Sequence, residues 1–143
     1  KLSGSLDVGG KVEGEGELSA QEIDVGGSLK GRKITAEDKV SVGGSITTEN
    51  GVYARYVEIG RRGKVDGPIY ADEVLIREGA TASDIHAKSI GMERKAQARN
   101  LYGEKMHLES DCQVFGEVQY TQSLETEKGV KLAKPPIKVE KLL

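Results

Sequence analysis

The sequence predicts an all-β fold in which a single chain winds as a β-solenoid of about 17 residues per coil. Three observations predict it. Short motifs recur along nearly the whole chain. Within each motif, apolar residues alternate with a period of two, as in a strand with one face buried. The composition is rich in glycine and poor in rings: 143 residues hold 19 Gly, one Phe and no Trp, with aromatics at 4%. A globular core of ordinary thickness lacks its large fillers in such a chain. A thin tube of triangular section needs aliphatic fillers and tight corners, which glycine supplies.

The motifs give the elements in order. Val-Gly-Gly-x-aliphatic runs from Val8 to Val12, from Val25 to Leu29 and from Val42 to Ile46. A second motif, aliphatic-x-Ala-x-x-aliphatic, runs from Leu18 to Ile23, Val52 to Val57, Ile69 to Val74 and Ile85 to Ile90. Ile34 to Val40 and Val118 to Leu124 carry one extra residue, and Leu101 to Met106 has Gly103 in place of Ala. The central residues are Ala20, Ala36, Ala54, Ala71, Ala87, Gly103 and Tyr120, spaced by 16, 18, 17, 16, 16 and 17. Each unit offers three short aliphatic patches separated by small residues, hence three strands per coil. Aligning the stretch from Gly63 to Val74 with that from Gly79 to Ile90 gives a shift of 16.

Stacking at roughly 4.8 Å makes cross-coil neighbours of equivalent residues. The residues after the central position alternate in sign from Glu37 through Arg55, Asp72 and Lys88 to Glu104. Opposite charges at that spacing contribute about 0.2–1 kcal/mol each. The residues before it, Tyr53, Tyr70, His86 and Tyr102, point outward by parity and form a stripe. From Met92 to Leu101 the pattern weakens. Helix propensity is good there, and Gln97 and Arg99 fall where apolar and small residues are expected. The flanking motifs keep register, so the stretch belongs to the sixth coil. After Val130 the pattern fades. Residues 1–130 are expected to form the solenoid, and 131–143, with Pro135-Pro136, an extended tail lying on the body or free.

Composition excludes several classes. The glycines follow no three-residue period, so collagen is out. The longest apolar run is of the length of Val74-Leu75-Ile76, too short to span a bilayer as a helix. Basic and acidic residues, 21 and 23, nearly cancel, so no general nucleic-acid-binding surface is expected. One Cys, Cys112, gives no intrachain disulfide, suits a reducing compartment and reads as an inert packing residue. Two His and one Cys build no ordinary zinc site, and no metal or cofactor is expected. The Gly-Gly pairs lack the Lys-Ser/Thr of a phosphate-binding loop and read as corners. His86 and His107 are assigned to different sides of the tube. That leaves little for an acyltransferase-like enzyme that works with a His between coils. Arg61-Arg62-x-Lys64 reads as a solvated corner or as an anionic contact.

Strands at the two ends of a solenoid expose unpaired N–H and C=O groups, and repeat proteins cap them. No amphipathic cap precedes Leu2, Leu6 and Val8, and Leu124 to Val130 remains apolar-periodic. The residues expected to carry end-to-end assembly are Leu2, Leu6, Val8, Phe115, Val118, Leu124 and Val130. Phe115 points outward and needs a cover, from the tail or from a second subunit. The stripe of Tyr53, Tyr70, His86 and Tyr102 is expected to shield the sheet or to serve lateral association. The alternative is a module that binds a glycan or a protein through it.

The run Val65-x-Gly67-x-Ile69-x-Ala71-x-x-Val74-x-Ile76-x-x-Gly79-Ala80 resembles that of the bactofilins, polymer-forming cytoskeletal proteins. The likeness covers roughly residues 6–130. It implies a right-handed, triangular β-helix and a non-enzymatic scaffold that polymerises without nucleotide. It also implies a cytoplasmic protein, associated with the membrane where a flexible N-terminal segment is present. The partners implied are the protein itself, the membrane surface and cell-envelope proteins. In that family a Phe of the last coils contributes to the end contact. Phe115 is the candidate here, one residue later than the usual place.

Overall fold

A computed structural model of the chain describes residues 4–140. Among the described residues every element is a strand, from Ser5–Val8 to Ile137–Lys138, and every pairing between strands is parallel. Val8 pairs with Val25, and the same column continues through Val42, Ile59, Ile76, Met92 and Leu108. The chain is a β-solenoid of about 8 turns, with coils about 17 residues apart.

Each coil contributes a strand to three faces. The first face begins at Lys11–Glu13 and ends at Lys131–Leu132; the second begins at residues 17–20 and ends at Ile137–Lys138. The third begins at Ser5–Val8 and ends at residues 123–126. Alternation then decides what is inside. Leu29, Ile46, Val65, Ala82, Ala98 and Val114 fill the tube from the first face. Ile34, Val52, Ile69, Ile85, Leu101 and Val118 fill it from the second, and Ile23, Val40, Val57, Val74, Ile90 and Met106 from the third. β-Branched side chains suit this pleated, tightly stacked interior. Each buried methylene contributes about 0.8 kcal/mol.

The central column is as the spacing implies. Ala20 pairs with Ala36, Ala71 with Ala87, Ala87 with Gly103, and Gly103 with Tyr120. The extra residues are absorbed as register shifts, between Ala20 and Glu22 against the third coil and between Gly103 and Lys105 against the last. A further shift between Gly31 and Lys33 accommodates the wider corner at Glu49-Asn50.

Two expectations are corrected. The uniform shift of 16 fails on the first face, where Lys64 bridges to Thr81, 17 residues on, while Ile69 pairs with Ile85. The corner has lost one residue, so the counterpart of Val65 is Ala82 and not Thr81. The same shortening explains the sixth coil. Its inward residues are Ala96 and Ala98, at 0% and 1% exposure, and Gln97 and Arg99 simply point outward. Strand pairing on both sides overrides the local helix propensity of residues 92–101. Residues 131–140 lie on the body, the first of the two placements expected for the tail. Lys131–Leu132 pairs with Gln113–Val114, and Ile137–Lys138 with residues 119–120, adding two short strands to the stack.

Within the column that alternates in charge, Arg55 meets Asp38, one residue beyond Glu37, at 3.6 Å. A different network forms at the next corner, where Arg77 lies 3.2 Å from Glu93 and 3.8 Å from Glu58, and Glu78 holds Arg61 and Arg94.

Candidate functional site

Two features stand out from the regular tube: the strand edges at its ends and the aromatic stack on its second face. At the first coil, Ser5–Val8, Lys11–Glu13 and residues 17–20 each pair on one side only among the described residues. Leu6 and Leu18 are partly buried on this rim, and Val12 is 38% exposed. At the other end, residues 123–126, Lys131–Leu132 and Ile137–Lys138 likewise pair on one side. Leu124, Val130 and Leu132 lie half-buried against the core there.

The predicted assembly residues divide accordingly. Leu6 and Val8 come together at the first rim, with Val8 buried. Leu124 and Val130 stand at the far rim. Val118 is 1% exposed and belongs to the core one coil inside. Phe115 points outward and is 57% exposed; residues 131–140 leave it uncovered, and Ile137 is itself 54% exposed. Leu2 lies outside the described residues. Val12, Leu18, Leu132 and Ile137 were not singled out in the sequence. Their signal was available: each continues an inward or outward column by one step.

The stripe forms as the register requires. Tyr53 pairs with Tyr70, Tyr70 with His86, and His86 with Tyr102. The rings stack face to face, with centroids 4.7–4.8 Å apart and planes within 11–16°. The Lys33 ammonium covers the free face of Tyr53 at 4.8 Å. The Tyr53 hydroxyl donates to the Asn50 carbonyl at 3.1 Å. Because the faces are occupied by one another, the stack presents ring edges to solvent. Burial between two tyrosines holds the His86 imidazole below its usual pKa, with Asp84 opposing. Burial and the neighbouring Glu117 carboxylate raise Tyr102.

The remaining candidates lie apart. His107 is on the third face, bracketed by Glu125 and Glu127 at 3.2 Å each. Next to it, where Gly91 leaves a position without a side chain, is an open groove of about 450 Å³ between Leu75 and His107. The Cys112 thiol is buried, donates to the Glu93 carbonyl at 2.9 Å and is pushed up to about 11 by burial, so it is a poor nucleophile. Of the basic corner, Arg61 is held by Glu78 at 3.3 Å, and Arg62 adopts φ 58°. Among the described residues no group of three His, Cys, Asp or Glu side chains is placed to hold a metal, and no helix is long and apolar enough to cross a membrane.

Fold and edges together define a β-solenoid repeat protein. Comparison with protein-family models, with curated proteins and with solved structures returns no match.

Proposed function

We propose that the chain is a non-enzymatic scaffold protein that associates end to end with copies of itself and forms filaments without nucleotide, as its resemblance to the bactofilins implies. One observation carries this reading. The described coils stack in register along the whole tube; the first coil keeps strand edges that can continue the same parallel pairing, and at the other end residues 123–126 keep one too. A second copy would extend the backbone hydrogen bonding and cover the partly buried Leu6 and Leu18 with exposed Val12, or the partly buried Leu124 and Val130. Repetition of one such contact yields a filament wherever it does not close into a ring. A carbohydrate platform is less well supported, because sugar rings pack on aromatic faces, both faces of Tyr70 and His86 and one face each of Tyr53 and Tyr102 are taken up within the stack, and Lys33 covers the other face of Tyr53.

Purified protein without nucleotide or metal is expected to sediment as polymer above a threshold concentration and to show filaments by negative-stain microscopy. Val12→Asp is expected to abolish the filaments while circular dichroism stays unchanged. Persistent monomer at high concentration and physiological salt would overturn the reading.

A further inference from the structure

We propose that residues 131–140 act as a removable guard on one adhesive end: they occupy the strand edge that a second copy would pair with, and their release promotes assembly. This rests on the end-to-end reading above.

The segment is paired where a full coil would sit, yet it is held weakly. On the first face it pairs through two residues, as Gln97–Ala98 does with Gln113–Val114, but on the second it pairs through two where residues 101–103 pair through three, and none of residues 131–140 pairs on the third face, where residues 105–108 pair through four. Lys131 N–H donates to the Cys112 carbonyl, Ala133 N–H to Val114 and Val139 N–H to Tyr120, at 2.8–2.9 Å. All but Leu132 and Val139 are exposed, and Leu132 is only partly buried at the position that Val114 fills one coil earlier. Few buried apolar contacts and solvent-exposed backbone bonds mark a segment that opens at low free-energy cost.

Its outer side is unlike that of the coils beneath. Its second-face strand pairs through two residues against three beneath, Pro135 and Pro136 have no N–H to offer, and Lys131, Lys134 and Lys138 line the rim. Short strands, proline and lysine are the devices that blunt a sheet edge against pairing with another chain. The segment therefore covers an edge of ordinary strand character, Gln113–Val114 and residues 119–120, with one that discourages further addition. Phe115 adjoins that edge and stays exposed under the guard. An incoming copy that displaced the segment would find both a continuous ladder and an apolar anchor there.

The test uses the full chain in two variants. Leu132→Asp places a charge at the one inward side chain of the guard's first strand and should free the segment. Gln119→Cys with Ile137→Cys joins two outward register partners across the junction, with the native Cys112 buried and unreactive. The readout is the threshold concentration for sedimentable polymer. Leu132→Asp is expected to lower it by about tenfold, the equivalent of about 1.4 kcal/mol. The oxidised cysteine pair is expected to raise it by a similar factor, reversed by reductant. If Leu132→Asp alters the far-UV spectrum, the oxidised-against-reduced comparison decides alone. Equal thresholds in both redox states, or a lower threshold for the locked form, overturn the guard while leaving the scaffold reading in place. Absence of polymer in wild type and every variant overturns both.

Discussion

Gly44 and Gly79 hold corners for different physical reasons. A Cβ on Gly44 would overlap the backbone carbonyl of Gly27 in the coil beneath, so stacked backbones leave no room for a side chain. Gly79 has room, its nearest neighbour being Arg62 Cγ at 3.6 Å, but its φ is +72°. Gly44→Ala is therefore expected to cost about 2 kcal/mol or more through overpacking, and Gly79→Ala about 1 kcal/mol through backbone preference alone. Urea unfolding of the two variants measures the difference. Gly79 belongs to a column of left-handed residues at the corner after the third face, with Arg62, Lys95, Asp111 and Gly129 at φ 58–83°. Ile85, fully buried at the middle of the tube, is expected to cost about 2–5 kcal/mol on replacement by Ala. His86 gives a pH dependence with a definite sign. Its folded pKa lies below the ordinary histidine value of 6.5, so the folded state binds the proton less well than the unfolded one. Stability is full above 6.5 and falls as pH drops from there through the folded value. In His86→Phe that part of the slope should vanish from thermal midpoints recorded between pH 7 and 5.

At the scale of the element, the coil is the unit, and the sequence shows most of it. The central Ala column, the outward aromatic stripe and the two one-residue insertions all follow from motif spacing, because the inside of a thin tube tolerates only small or aliphatic side chains at fixed parity. The first face is less legible. Three residues separate Val65 from Ile69, but two separate Ala82 from Ile85 and Ala98 from Leu101. A corner shortened by one residue imitates a degraded motif, which is why Gln97 and Arg99 looked misplaced. The closing strands 131–132 and 137–138 were hidden for a related reason: two residues are too few to display a period. Predictions at this scale concern pairs. A double-mutant cycle on Tyr53 and Tyr70 should yield a coupling of about 0.5–1.5 kcal/mol for the ring stack.

Across the whole molecule, a stack of repeats draws its stability from each coil and from the junction with its neighbours. Amide exchange should accordingly be slowest for residues 34–108, which are covered from both sides, and fastest for 131–140. On the guard proposal, the edge at Gln113–Val114, the blunt rim above it and exposed Phe115 would put the control of association at one mouth of the tube. The aromatic stack has a consequence of its own. The protein has no Trp and five Tyr, three of them in one pile of rings that spans four turns. Near-ultraviolet dichroism and tyrosine emission therefore report on that pile above all, so the molecule carries an internal optical gauge of whether its middle turns are wound.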